Sequence, residues 1–282
     1  MMKGNPQFLC LVFLAFSGVL FSAQPLWGRY GSYGPSRFSD KREVVLENWY
    51  SEEGKKRFFR ADFKNDFFQL ANHYQPQIDP LSCGIATSVI VLNALRRPLD
   101  KVESQKGLEV LLPKALGGKV IAYPLYSQVT FLNEKTEKVK PKAVIRLKNV
   151  DQEGPVNPKE VDPGLTLAQL KKVLEAYGAS VSLRYADREV PAGSVVFRKH
   201  LKKVLKDKDH FLIVNFEGKA LGAETAGHIS PIAAYDDESD SALILDTAGH
   251  KNPWVWVQVD HLYQAMKTKD GDKYRGYLIV SD

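Results

Sequence analysis

The stretch Gln77-Ile78-Asp79-Pro80-Leu81-Ser82-Cys83-Gly84 opens directly into an apolar pattern that runs to Leu95, with Ile85, Val89, Leu92 and Leu95 at helical spacing. It sets a thiol at the N-terminus of a core helix. Unpaired backbone N–H groups at such a terminus favour thiolate over thiol and can hold a developing oxyanion. The plain alternative is a small thiol buried for packing. Cysteine usage elsewhere weighs against it. The chain has two cysteines, and Cys10 lies in the apolar run Phe8 to Phe21, behind Lys3 and ahead of Ser22-Ala23-Gln24. That run reads as a secretory signal over residues 1–23, too short to span a bilayer and followed by a Pro/Gly/Tyr-rich stretch rather than a stop-transfer cluster. No small residues precede Cys10 as a lipoprotein site would require, so no stable membrane anchor is expected. The exported, periplasmic or secreted protein then keeps Cys83 alone, in an oxidising compartment where an unpaired thiol is a liability. Chemistry explains its retention better than packing does.

Residues 24–45 read as an N-terminal arm or linker, broken by Gly28, Gly31, Gly34 and Pro35. About 259 residues of the 282 follow the signal, enough for one large domain, taken as residues 46–282. Helical stretches cover Glu52 to Ala61 and Asn65 to His73, then the Cys83 helix. The span Lys142 to Leu147 is strand-like and Asp151 to Pro163 loop-like. Thr166-Leu167-Ala168-Gln169 is a capping box for a helix stopped by Gly178, followed by a strand through Val181, Leu183 and Tyr185 and a basic helix from Ser194 to Lys206. Strands follow at His210 to Phe216, Gly227 to Tyr235, Ala242 to Asp246, Trp254 to Val259 and Gly276 to Val280, with one helix near His261 to Met266. Helices first and strands later make an α+β fold. Without the signal the charge is +5, with 38 basic residues (39 less Lys3) against 33 acidic. The lysine clusters at 135–142 and 199–208 lack the interleaved aromatics of a nucleic-acid platform and read as solvated faces.

An ordinary thiol is only a few per cent ionised at neutral pH, so Cys83 needs a base. Of six histidines, His228 starts one strand and Asp246 ends the next, and Asp236 to Asp240 between them read as a hairpin turn. Imidazole and carboxylate therefore meet at the same end of neighbouring strands, where a carboxylate can fix the tautomer and stabilise an imidazolium. Taken singly, His228 reads as a core histidine and Asp246 as a turn former; with a lone thiol they make a constellation. His73, His200, His210, His250 and His261 have no comparable placement. Metal-hydrolase, nucleotide and serine-hydrolase motifs are absent from the sequence. The order nucleophile, base, orienter along a helix and then an antiparallel sheet is that of papain-like enzymes.

Ser51-Glu52-Glu53-Gly54, Gln75-x-Gln77 through Cys83-Gly84 to Leu95, Gly227-His228-Ile229-Ser230-Pro231, Ile244-Leu245-Asp246 and Arg275-Gly276-Tyr277 stand in the order of the phytochelatin synthase family. The chain resembles that family, glutathione γ-glutamylcysteinyltransferases of the papain-like clan, from about Ser51 to Val280. The resemblance implies a papain-like fold, a triad of Cys83, His228 and Asp246, an oxyanion role for Gln77, and substrate-binding roles for Ser51, Gly227 and Arg275. It implies glutathione as substrate, with no organic cofactor. Zn or Cd ions would enter as glutathione thiolates rather than at a protein metal site. No nucleic-acid partner is expected, and monomer and homodimer both stay open. Gly249 stands where the family usually has an arginine, and the chain resembles the short form, which tends to remove glycine from glutathione by hydrolysis. Two other readings stay open: an exported papain-like peptidase or amidase on other peptides, and a silent binder of thiol peptides.

Overall fold

The computed structural model describes residues 46–95, 110–121, 125–141, 164–187 and 193–282, all within the compact unit Pro35–Asp282. The expected signal peptide and arm, the strand at 142–147 and the loop at 151–163 lie outside the described residues.

In chain order the elements are β1 (Glu47–Asn48), α1 (Glu52–Arg60), α2 (Asn65–Asn72), α3 (Cys83–Ala94), β2 (Val110–Leu111), β3 (Val120–Ile121), α4 (Leu167–Ala176), β4 (Ser180–Tyr185), α5 (Gly193–Val204), β5 (His210–Glu217), β6 (Gly227–Asp236), β7 (Ser241–Ile244), β8 (Val255–Gln258), α6 (Val259–Met266), β9 (Lys269–Asp270), β10 (Lys273–Tyr274) and β11 (Gly276–Ser281). Seven strands form one sheet in the order β1-β8-β7-β6-β5-β11-β4, every pair antiparallel. The architecture is thus α+β, as the order of elements predicts.

Both faces of the sheet are covered. Along β5, Phe211 and Ile213 enter the cluster that includes α3 and α4, while Leu212, Val214 and Phe216 enter the cluster under α5 and α6. This explains why β5 reads as a continuous apolar run rather than an alternating one. Helix α3 is buried from Gly84 to Ala94, so its sequence is apolar around its whole circumference. Helix α4 starts at the expected capping box, Thr166 accepting from the Gln169 N–H and Gln169 reaching back to the Thr166 N–H. Two lysines of the 199–208 cluster serve packing as well as solvation: Lys202 of α5 lies over the rings of Phe63 and Tyr235, and Lys206, just beyond the helix, over Phe63. The strand reading at Ala242 to Asp246 is corrected at its end, because β7 stops at Ile244 and the last two residues pass into a turn. Among the described residues no helix is long and apolar enough to cross a membrane.

Candidate active site

Cys83 is the first residue of α3. Asp79 builds the turn before it: its carboxylate accepts the Leu81 N–H at 2.8 Å and its carbonyl accepts the Ser82 N–H at 3.3 Å, with Pro80 presetting the bend. Ser82 is the N-cap residue, yet its hydroxyl turns back to donate to the Asp79 carbonyl at 3.1 Å and makes no cap bond to the helix. The first-turn N–H groups thus keep their partial positive charge at the cleft that Cys83 lines. Thr87, one turn further on, donates to the Ile229 carbonyl at 3.0 Å. That bond fixes the height of α3 against β6, one residue from His228.

His228 is the second residue of β6 and only 3% exposed. Its Nε2 lies 2.7 Å from Asp246 Oδ1; a carboxylate only accepts, so Nε2 carries the proton. Cys83 lines the same cleft as His228, and with Nε2 committed to Asp246 the ring nitrogen left to face the thiol is Nδ1. Asp246 stays beside β6 because the Leu245 N–H donates to the Pro231 carbonyl at 3.1 Å. Its Oδ1 also accepts the Ala248 N–H at 2.8 Å, and its Oδ2 accepts Asn252 Nδ2–H at 3.0 Å. Burial acts most strongly on His228 and disfavours a charged ring. The charge and hydrogen bond of Asp246, joined by Cys83, overcome it and raise the pKa to about 10. Asp246 therefore favours the protonated ring over the neutral one.

Gln77 faces the same cleft. Its Nε2 donates to the Asp79 carbonyl at 2.8 Å, its Oε1 accepts the Thr247 hydroxyl at 3.4 Å, and its backbone N–H donates to the Thr247 carbonyl at 2.8 Å. A carboxamide nitrogen carries two hydrogens, so Nε2 has a second N–H beyond the one committed to Asp79. The cleft measures about 320 Å³ and combines apolar Pro80, Leu81, Leu165 and Ile229 with polar Asn215, Asp270, Arg275 and Lys251.

Arg275 anchors the charged corner. Its Nη1 donates to Asn215 Oδ1 at 2.9 Å and lies 3.6 Å from Asp270, Nη2 donates to Glu217 at 3.3 Å, and Nε donates to Thr268 at 3.1 Å. The guanidinium rests against Gly227: a Cβ there would stand 2.6 Å from Nη2 and 2.7 Å from Nη1. A side chain directly before His228 would therefore displace the guanidinium. Ser51 is not part of this corner. It is the N-cap of α1, accepting the Gly54 N–H at 2.8 Å and donating to Glu47, and it is not among the residues that line the cleft. Its hydroxyl starts a helix.

Sequence reasoning missed Asn215, Asp270 and Asn252. The signal for Asp270 was present, since Asp270-Gly271 is a hairpin dipeptide and joins β9 to β10 with Gly271 at φ 68°. Gly249 is exposed, and a Cβ on it would approach the Tyr74 hydroxyl at 3.2 Å and Pro76 at 3.7 Å. Lys251, two residues on, is the cation of that turn that lines the cleft. Among the described residues no group of three or more His, Cys, Asp or Glu is placed to hold a metal ion.

Residues 43–111 and 120–277 match the family model described as Phytochelatin synthase. "Glutathione gamma-glutamylcysteinyltransferase 3" of Lotus japonicus is 29% identical over 236 residues, 82% of this chain and 41% of the relative. "Glutathione gamma-glutamylcysteinyltransferase 1" of Triticum aestivum is also 29% identical, over 82% of this chain and 39% of its own length. "Glutathione gamma-glutamylcysteinyltransferase" of Schizosaccharomyces pombe is 24% identical, over 82% and 47% respectively. The chain spans about two-fifths of the length of the two plant relatives.

Proposed function

Because the chain belongs to the phytochelatin synthase family, we propose that it cleaves the Cys–Gly amide of glutathione and transfers the γ-glutamylcysteinyl group through a thioester on Cys83. The observation that carries this reading is the charged corner beside the thiol. Arg275 and Asp270 offer a guanidinium and a carboxylate within one small space, the complement of a free α-carboxylate and α-ammonium. A γ-linked glutamate presents both groups, whereas an α-linked peptide has used its carboxylate in the next bond. That contrast favours glutathione over the general peptidase reading, and the buried His228–Asp246 hydrogen bond in the cleft that Cys83 lines favours an enzyme over a silent binder.

In this reading the fold is papain-like, with the nucleophile at the start of a buried helix and the base at the start of a strand. The Cys83 sulfur attacks the cysteinyl carbonyl. The oxyanion is met by the second Nε2–H of Gln77 and the Cys83 N–H. His228 delivers its proton to the leaving glycine nitrogen, and the C–N bond breaks as the C–S bond has formed. Water, or the amine of a second glutathione, then attacks the thioester with His228 as base. Asp246 keeps the ring oriented throughout. Zn or Cd ions enter as substrate, carried on glutathione sulfur. Export after removal of residues 1–23 belongs to the same proposal, and the N-terminus of the mature protein tests it.

Mass spectrometry of the protein mixed with glutathione tests the chemistry. A γ-glutamylcysteinyl adduct on Cys83 with glycine release is expected, absent from Cys83→Ser. The α-linked isomer Glu-Cys-Gly should be refused. Equal turnover of both isomers would sink the γ-glutamyl reading and promote the peptidase one.

A further inference from the structure

We infer that Gln128, in the segment between the nucleophile helix and α4, is a positioning residue that sets the Gln77 carboxamide for its part in acylation; this rests on the reading of Cys83 as nucleophile and Gln77 as oxyanion donor. Gln128 is only 6% exposed. Its Oε1 accepts the Ile78 N–H at 3.2 Å, while its Nε2 donates to the Pro76 carbonyl at 2.9 Å and to Gln75 Oε1 at 3.4 Å. One side chain therefore grips the backbone on both sides of Gln77. On the opposite flank the same loop is held by Thr247, the residue after Asp246. The loop is clamped between the sheet and the 125–141 segment, and Gln77 sits in the middle of the clamp.

The clamp is tied to the nucleophile as well. Asn93, in the last turn of α3, accepts the Tyr126 N–H at 2.9 Å and donates to the Tyr126 carbonyl at 3.1 Å, both buried. Cys83 and Asn93 share one rigid helix, so the Asn93–Tyr126 pair and Gln128 refer the position of Gln77 to that of the sulfur. A buried, multiply bonded carboxamide orients a neighbouring backbone well, because leaving any of its groups unmade would be costly. A small misplacement of an oxyanion donor slows the transition state while leaving ground-state binding alone.

The test replaces Gln128 by Met, which keeps length and volume but makes none of the three bonds. Acylation of Cys83 is followed with glutathione and, independently, as the nitrophenolate burst from p-nitrophenyl acetate; alkylation by iodoacetamide reads the thiol itself. Gln128→Met should lower the acylation rate with both substrates by roughly 10-fold to 100-fold, with KM for glutathione and the alkylation rate unchanged. Gln77→Ala combined with Gln128→Met should be no slower than Gln77→Ala alone, since Gln128 acts through Gln77. Gln128→Glu, which keeps only the bond from Ile78, should fall between and serves if the Met variant does not fold. Wild-type acylation rates in both variants, additive losses in the double variant, or a parallel fall in alkylation would each overturn the inference. A wild-type protein acylated by the ester but not by glutathione overturns the substrate reading alone, and one acylated by neither overturns both.

Discussion

The sheet-borne and loop-borne halves of the site are held by different means. His228 and Asp246 are 3% and 2% exposed and rest on strand pairing and buried hydrogen bonds. Cys83 is only partly buried, and Gln77 sits in a loop whose place depends on side chains reaching across from Thr247 and Gln128. The difference teaches where each kind of damage should appear. On the proposed chemistry, changes in the sheet half should alter proton transfer, while changes around the loop and the charged corner should alter where the substrate carbonyl comes to rest.

The largest break should come from Asp246→Asn, which keeps the shape but can present an amide N–H to His228 Nε2 and so favour the wrong tautomer. The acylation rate should fall roughly 10³-fold to 10⁴-fold with glutathione KM little changed. Gly227→Ala tests the charged corner without touching the proton path. Its methyl group would displace the Arg275 guanidinium, so kcat/KM should drop by roughly 10²-fold through KM, while the burst from p-nitrophenyl acetate survives. Asn252→Ala leaves Asp246 Oδ2 without its side-chain partner and should cost roughly tenfold in acylation. A change confined to KM would assign Asn252 to the substrate instead.

A second buried carboxyl supplies the smallest effect and the sharpest contrast. The Asp246 carboxylate has three hydrogen-bond partners. Asp66, in the first turn of α2, is 3% exposed and its Oδ2 has none. Burial, reinforced by the charge of Asp207, pushes its pKa up from 3.8 to about 8. The folded protein therefore holds a proton that the unfolded chain releases near pH 4, and stability declines as pH rises from there through 8. Asp66→Asn should flatten that decline and raise Tm near pH 8 by about 2–4 °C for each kcal/mol regained, with acylation unaffected. A lower Tm would mean that the carboxyl hydrogen has an acceptor the asparagine cannot serve.

Much of this was readable from residues alone. The thiol before an apolar helix and the hairpin that pairs His228 with Asp246 are local patterns, and the structure sets Cys83 and His228 on one cleft with Asp246 bonded to the ring. Gly227 and Arg275 were singled out separately, but that one lies against the other follows only from the pairing of β11 with β5 beside β6. Asn252 and Gln128 left no mark, because a turn asparagine and a loop glutamine look the same whether they face solvent or close a buried network. Ser51 failed for the opposite reason: the pattern Ser51-Glu52-Glu53-Gly54 is a helix start, and its local capping explains the serine without the substrate.

Strand β11 lies between β5 and β4, and among the described strands β4 pairs with it alone. About 90 residues separate the end of β4 from the start of β11. During synthesis the nucleophile helix, β4 and the His228–Asp246 hairpin all leave the ribosome before the strand that joins β4 to the rest of the sheet, and Arg275 emerges immediately ahead of that strand. Such distant pairings form late. A nascent chain would therefore carry the Cys83 thiol before Arg275 is in place, and under the proposed function competence for catalysis would arrive together with the closing strand.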